Sequence, residues 1–479
     1  MEDKVLDLAK RRGFIWGPSP NIYHGGVSGF YDWGPLGKLL KNKVENKIRN
    51  GFLTHNFWEV ECPTIMPKVV WEASGHYEGF FDPIVKDLKT NSVYRADHLI
   101  KEENPNLKID GLNFEELNKI IKQKKIKSPK GNELSDVQPY SLMMRTTLGL
   151  DQEAYLRPET ATTTYLLFKE YYNFFRTKLP FSVFQIGKAY RNEISPRQGV
   201  LRTREFTQAE AQLFIYSEDE NNFEKFKEYK NKIIPIKGKN KLKDIIQKKI
   251  LKKQAYAYMV YVAYSIVKEM GFEDKNLRIR QHSKKELAHY AEDAWDIEIN
   301  TKRFGWLEIC GVHDRKNYDL KRHNEYAKLN LKKIPNILEI AFGIERLTYC
   351  LLEHSFKENK LRSWLNFNSG MSPIDVAVFP LVRKDKLPEK AKEIFKLLEK
   401  DFVCIYDETG SIGRLYRRMD EVGTSLCCTV DHESLKKEDV TIRDIKTMKQ
   451  VRVKIKNLND VINQLLDGKK ISNFGNFVN

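Results

Sequence analysis

Read for periodicity, the chain opens with VLDLAKRRGFIW, a short helix ended by Gly13. Gly29, Gly34, Pro35 and Gly37 punctuate a turn. Leu39, Leu40, Val44 and Ile48 then recur at helical spacing and predict a buried stripe. FWEVECPTIMP alternates as a strand does and stops at Pro63 and Pro67, which lack the N–H that a sheet ladder uses. Between residues 100 and 140 the pattern dissolves into a polar, Lys-rich stretch that includes IIKQKKIKSPKGNELSD, which predicts an insertion or a mobile lobe.

The middle of the chain is denser. A helix is predicted over Thr162–Thr177, followed by strands as far as Phe214. A second basic stretch, 225–254, is open to two readings, a solvated helical face or a contact to RNA. The most apolar run, Ala255–Val267, is too short and too rich in Tyr to span a bilayer and reads as a buried helix. Near Met371 the pattern changes again. A strand (Val376–Pro380), an amphipathic helix (KAKEIFKLLEKD), the strand FVCIYDE, the helix IGRLYRRMDEVG and the strand LCCTV alternate, as in a separate parallel or mixed α/β domain.

Composition narrows the picture. The 479 residues suit two to four domains. Lys and Arg total 82 against 65 Asp and Glu, a net charge of +17. That surplus fits a polyanionic partner, or else a Lys-rich soluble surface. The six cysteines form no C-x-x-C pair, so neither a zinc site nor a disulfide framework is expected, and reduced thiols point to a cytoplasmic protein. The N-terminus has no apolar h-region, so no signal peptide and no membrane association are expected.

The stretch AYRNEISPRQGVLRTREFTQAEAQLF carries the chemistry. In a strand, side chains two apart share a face. Arg191 and Glu193 therefore share one face of the first strand. Arg202, Arg204, Phe206, Gln208, Glu210 and Gln212 share one face of the second, with Pro196 and Gly199 in the turn between. Arginine grips phosphate oxygens in bidentate fashion, an aromatic ring stacks on a purine, and a carboxylate accepts from its amino group. The row suits a nucleoside triphosphate.

The same stretch resembles motif 2 of class II aminoacyl-tRNA synthetases. YDWGPLG with FWEVECPTIMPKVVWEASGH resembles the motif 1 region of glycyl-tRNA synthetases of the homodimeric archaeal and eukaryotic kind. YLRPETATTTYLLF is similar to that family's substrate segment. WLEICGVHDRKNYDL and ILEIAFGIERLTYCLLEHSF are similar to motif 3 and the segment before it. IGRLYRRMDEVGTSLCCTVDHESL and VTIRDIKTMKQVRVKI are similar to its anticodon-binding domain. The resemblance implies an α+β fold. Residues 1–370 would form a class II catalytic domain on an antiparallel sheet with helices, with Lys-rich insertions near 85–150 and 220–300. Residues 371–479 would form a C-terminal α/β anticodon-binding domain.

It also implies the reaction, glycine activation by ATP followed by transfer to the 3′ end of tRNA(Gly), and a homodimer with the motif 1 helix and strand at its interface. Arg191 and Arg346 would be catalytic, Arg191 on the α-phosphate and the glycine carboxylate, Arg346 on the γ-phosphate. Glu193 would meet the adenine amino group and Phe206 its ring, with Arg202 and Arg204 near the phosphates or the tRNA end. Asn192, Leu201, Thr203, Glu205, Ile309, Gly343, Ile344 and Glu345 complete the implied ATP contacts. Glu308 would bind Mg²⁺. Glu159, Glu210 and Glu339 would ring the glycine ammonium, three carboxylates that need a cation among them. Arg95, Phe206, Thr207, Gln208, Ala209, Ile340, Ala341, Phe342 and Gly343 would line the same pocket. Arg414, Arg417 and Arg418 could face RNA phosphate, solvate a helix or reach the dimer partner.

Two departures stand out. The family commonly reads Glu-Pro-Ser where this chain has Glu339, Ile340 and Ala341, so a pocket hydroxyl is missing. The usual Ala-Gln-Gly is here Ala161, Thr162 and Thr163. Other readings are an accessory RNA-binding protein without catalysis and a ligase for alanine or serine. Retention of Arg191, Arg204 and Arg346 opposes the first, and the carboxylate trio opposes the second.

Overall fold

A seven-stranded sheet carries the larger part of the molecule. The computed structural model describes residues 4–478 apart from 106, 108, 110, 195, 197, 198, 285, 288–290 and 369. The strands are β1 (Phe57–Glu59), β2 (Phe181–Tyr190), β3 (Glu205–Ile215), β4 (Leu277–Gln281), β5 (Asp293–Thr301), β6 (Gly305–Lys316) and β7 (Asn336–Gly343). They lie in the order β4-β5-β6-β7-β3-β2-β1. All neighbours are antiparallel except β1 with β2.

One face of this sheet packs on α1 (Lys4–Arg11), α2 (Pro35–Thr54), α3 (Gln254–Glu269) and α4 (Ile344–Ser355) around a single apolar core. Three of the four residues predicted for the α2 stripe lie in it, and Leu39 does not. Leu40, Val44, Ile48 and Phe52 are fully buried, and burial of each contributes about 1.5–3 kcal/mol. Leu39 and Leu36 sit on another side of α2 and pack against Ala377, Leu415 and Met419 of the C-terminal part. The Ala255–Val267 run is a buried helix, as its composition suggests. The opposite face of the sheet is covered at one end by two short helices, Ala161–Tyr165 and Phe168–Phe174, which pack on Phe181, Val183, Phe214 and Ile337. The rest of that face is open.

Two expectations are corrected. FWEVECPTIMP is not one strand, because Cys62 and Pro63 separate β1 from a second strand, Ile65–Pro67, in another small sheet. The helix expected over Thr162–Thr177 breaks after Tyr165. The Thr163 and Thr164 hydroxyls donate back to the Thr160 carbonyl at 2.8 and 3.1 Å, a local alternative to the helical ladder. Both Lys-rich stretches are folded. Residues 81–141 form a lobe with its own three-stranded sheet and a core of Val85, Tyr94, Leu99, Ile100, Leu117 and Ile121. The second stretch belongs to the main core, through Phe226, Ile234, Leu242, Ile245 and Leu251 and then through α3, and β4 and β5 extend the main sheet.

The C-terminal part is a six-stranded mixed sheet of β8 (Val376–Pro380), β9 (Cys404–Tyr406), β10 (Leu426–Val430), β11 (Asp439–Asp444), β12 (Gln450–Lys454) and β13 (Phe477–Val478). The order is β9-β8-β10-β11-β12-β13, parallel around β8 and antiparallel beyond β10. Helices Leu387–Leu398 and α5 (Ile412–Val422) pack on it. Arg12 pairs with Glu421 at 2.5 Å and Lys43 with Asp375 at 3.2 Å, tying this sheet to the helices of the larger part. Among the described residues no helix is long and apolar enough to cross a membrane.

Candidate active site

The open face of the main sheet holds a pocket of about 420 Å³. Strand parity builds it. Along β3, Phe206, Gln208 and Glu210 face the pocket, while Ala209, Ala211 and Leu213 enter the core. Along β7, Glu339, Ala341 and Gly343 face it, and Ile340 is fully buried in the core. Along β6, Gly311, His313 and Arg315 share one side, because Gly311 pairs with Ala341 and His313 with Glu339. Glu210 pairs with Ala341 in turn. Ala341 is therefore the small residue of the floor, beside the Glu210 carboxylate, while Gly311 lies under the His313 ring.

Behind that floor the three predicted carboxylates meet. Glu210 and Glu339 are almost fully buried. Glu159 accepts from the Thr162 hydroxyl at 2.7 Å and lies 3.6 Å from His76. Glu210 accepts from the Thr160 hydroxyl at 2.5 Å. Glu339 accepts from the Tyr165 hydroxyl at 2.5 Å, from Arg315 at 3.2 Å, and sits 3.3 Å from His313. Arg315 itself is clamped by Asp319 through two bonds of 2.8 and 2.9 Å. Burial acts against all three charges. For Glu159 it is outweighed by His76, Arg315 and the Thr162 hydroxyl, which hold the carboxyl below its ordinary range. For Glu339 it is outweighed by Arg315 and His313, which hold it at about 2. For Glu210 the Thr160 hydroxyl and the charge of Arg315 do not suffice. Burial, then the charges of Glu339 and Glu159, push it up to about 8. The cluster as a whole retains a proton at neutral pH.

The segment that carries Glu159 is fixed from below by Arg157, a buried guanidinium bonded to the carbonyls of Lys188 and Cys62 and to Gln185. A Cβ on Gly187 would lie 2.3 Å from that guanidinium, so only glycine lets β2 pass.

The other end of the pocket is cationic. Arg191 donates to the Pro158 carbonyl at 3.1 Å, and its guanidinium lies 5.3 Å from the Phe206 ring and 5.4 Å from Phe80. Arg202 pairs with Glu193 at 2.7 Å. Arg346 donates to the carbonyls of Leu201 and Glu308, each at 3.2 Å, and lies 3.4 Å from the Glu308 carboxylate. Leu201, Thr203, Ile309, Phe342 and Gly343 complete the wall. Glu345 closes the back, where its carboxylate takes the buried Lys41 ammonium at 2.5 Å and the Thr207 N–H at 2.8 Å.

The structure brings most, though not all, of the expected residues together. β2 ends at Tyr190 and β3 begins at Glu205, so Arg191, Glu193, Arg202 and Arg204 lie beyond the strands, where parity does not apply. Arg204 turns away and holds the Glu193 and Ser28 carbonyls. Arg95 is bound by Asp82 and Asp97 and reaches the pocket only through the chain Asp82–Arg202–Glu193. Glu205 pairs with Lys188. Thr207, Ala209, Ile340 and Ile344 belong to the core side, and Asn192 does not line the pocket. Sequence reasoning missed His313, Arg315, Tyr165 and Lys41. The first two were legible by the parity rule used for β3. Lys41 stands beside Val44 and Ile48 in the α2 stripe, where a cation signals a buried partner.

As to a metal, no group of three His, Cys, Asp or Glu side chains among the described residues could hold one. Glu308 offers one half-exposed carboxylate, and Glu298 across from it is taken by Arg278 and Arg280. That donor set fits Mg²⁺ only together with phosphate oxygens and water.

A sheet-borne pocket with arginines at one end and a built acidic cluster at the other is joined by sequence likeness. Residues 146–355 match the tRNA synthetase class II core domain (G, H, P, S and T), and residues 375–465 match an anticodon binding domain. The fold and these matches define a class II aminoacyl-tRNA synthetase. The chain is 38% identical to the glycine–tRNA ligase of Methanococcus maripaludis strain C7, over 97% of this chain and 99% of that protein. It is 36% identical to that of Methanocaldococcus jannaschii over the same shares, and 39% identical to that of Thermococcus gammatolerans over 97% and 98%. The chain belongs to the glycine–tRNA ligase family. The alignments run over 563–574 positions, more than the 479 residues here, so those relatives carry internal segments that this chain lacks.

Proposed function

We propose that the pocket joins glycine to ATP and that the adenylate then esterifies the 3′ end of tRNA(Gly). The observation that carries this reading is the acidic end of the pocket, where three carboxylates surround a space floored by Ala341. An ammonium satisfies that cluster, and the small floor suits an amino acid without a side chain. Glu159, Glu210 and Glu339 hold the ammonium and aim the glycine carboxylate at the α-phosphorus. One of its oxygens forms the new P–O bond as the bond to the β-phosphate breaks and pyrophosphate leaves. Arg191 neutralises the charge that builds on the α-phosphate, and Arg346 holds the departing end; positioning and charge supply the catalysis. Phe206 stacks on adenine and Glu193 accepts from its amino group. Mg²⁺ arriving with ATP would rest on Glu308 and supply further charge neutralisation. In the second step the terminal ribose hydroxyl of the tRNA attacks the adenylate carbonyl and AMP leaves.

A homodimer belongs to the same reading. Among the described residues β1 is the edge of its sheet, and Trp58 on it is half exposed with Phe174 5.6 Å away, apolar surface that a second copy would cover. The C-terminal domain, residues 371–479, would read the anticodon. The six unpaired thiols support a cytoplasmic setting. The test is amino-acid-dependent ATP–pyrophosphate exchange with glycine, alanine and serine. Glycine alone should support exchange, and Arg191→Ala should abolish it in folded protein. Exchange with alanine or serine would mean a different substrate, and none with any of them would mean an RNA-binding protein without catalysis.

A further inference from the structure

A second cavity, of about 590 Å³, lies far along the chain from the reactive pocket, where α1 meets α5. Four arginines line it, Arg12 just past the end of α1 and Arg414, Arg417 and Arg418 from α5, with Thr409 and Ser411 between them. No carboxylate lines the cavity. Two stand behind it. Glu421 takes Arg12 at 2.5 Å and also Arg11 at 3.2 Å, and Asp407 takes Arg418 at 2.9 Å. These pairs fix the guanidinium groups of Arg12 and Arg418 in place. Arg414 and Arg417 are exposed, and among the described residues neither guanidinium has an ion-pair or hydrogen-bond partner. The cavity therefore keeps an excess of two positive charges with no internal use.

The lining also limits what the ligand can be. It contains no aromatic ring on which a base could stack. Gly410, at φ +124°, brings the loop against Arg414 and Arg418, and Gly413 leaves open space on the same side. Planar guanidinium forks of this kind match phosphate oxygens. The site joins the larger part of the molecule to the C-terminal sheet, so one ligand here touches both.

We propose that this cleft binds phosphodiester groups of the tRNA backbone and so fixes the C-terminal domain and the catalytic domain on one tRNA, without reading its bases. The proposal rests on the aminoacylation reading above and adds a site to it. Phosphate contacts position a nucleic acid, and each one lost lowers the salt dependence of binding by about 1 on a log–log plot.

The test uses the full chain with Arg414→Gln, Arg417→Gln and the double variant, and a tRNA(Gly) transcript. Aminoacylation is followed across a range of salt concentrations, beside glycine-dependent ATP–pyrophosphate exchange. The double variant should raise the KM for tRNA about tenfold or more and lower the salt slope by about 2, each single variant by about 1, while exchange stays at the parent rate. A Lys396→Gln, Lys400→Gln variant removes two exposed charges from the same domain and should leave the tRNA KM near the parent value. An unchanged tRNA KM and slope in the double variant would overturn the proposal. So would an equal effect from the Lys396 and Lys400 changes, or a shift in dimerisation with tRNA binding intact. Parent protein without exchange would instead overturn the catalytic reading, which keeps the two failures apart.

Discussion

The acidic cluster predicts how glycine binding responds to pH. Glu159 and Glu339 have cationic or hydroxyl partners that keep them ionised, whereas for Glu210 burial and two negative neighbours outweigh the Thr160 hydroxyl and the charge of Arg315. With its carboxyl pushed up to about 8, Glu210 is about one-tenth ionised at pH 7, half at pH 8 and nine-tenths at pH 9. An incoming ammonium favours the ionised form, since it replaces the proton as the cation of the cluster. The sign follows. Folding raises this pKa above the ordinary carboxylate value, so the proton is held below about 8 and lost above it. Glycine binding therefore strengthens as pH rises through that window, and the KM for glycine falls about tenfold between pH 7 and 9. Below the window, each glycine bound should release close to one proton. The assay is the glycine KM in ATP–pyrophosphate exchange at saturating ATP, with calorimetry at pH 7 in two buffers of different ionisation enthalpy. Glu210→Gln has no proton to lose, so its KM should be high and flat with pH. A flat profile in the parent protein, with no buffer-dependent heat, would refute the reasoning.

Tyr165→Phe removes the hydroxyl that donates to Glu339 at 2.5 Å. A bond to a charged group contributes about 1.5–3 kcal/mol, so the glycine KM should rise tenfold or more while the ATP KM holds, and equal KM values would refute the role. Lys41→Met strands Glu345 in the core, since Lys41 is 3% exposed and spans α2, β3 and α4 through Glu345 and Thr207. Loss of one partner of such a pair costs about 3–5 kcal/mol, visible as an earlier thermal unfolding transition, and an unshifted transition would show that the pair is not a tie.

What the sequence disclosed depends on how a residue reaches the site. Where a strand carries it, alternation sufficed. Phe206, Gln208 and Glu210 face the pocket because β3 runs unbroken from Glu205 to Ile215. Where a loop carries it, alternation failed, and Arg202 and Arg204 part company, one into the pocket and one onto Ser28. Resemblance brought the opposite error. It marked 206–210 and 339–343 as continuous stretches, although a strand can offer only every second side chain to one face. Partners across the sheet were beyond reach. Lys41 and Glu345 stand 304 positions apart, and neither residue's surroundings in the chain name the other.

The parity rule also settles the weight of the unusual Ile340–Ala341 pair. Ile340 is fully buried among core residues on the far side of β7, so its difference from the family pattern is one of packing. Ala341 alone faces the pocket, between Gly311 and Glu210. The three carboxylates that would grip the ammonium are present and do not depend on it, since their hydroxyl and cationic partners come from Thr160, Thr162, Tyr165 and Arg315. The ammonium is common to every amino acid, so these contacts favour glycine over none of them. Discrimination rests instead on how little room the floor leaves for a methyl, and an alanine at 341 leaves more than a serine would. A hydrophobic or steric difference of one methyl is worth about 1–3 kcal/mol. The consequence of this exchange therefore falls on the ratio of glycine to alanine activation rather than on affinity for glycine. That ratio is what the three-substrate exchange assay measures, and Ala341→Ser should raise it.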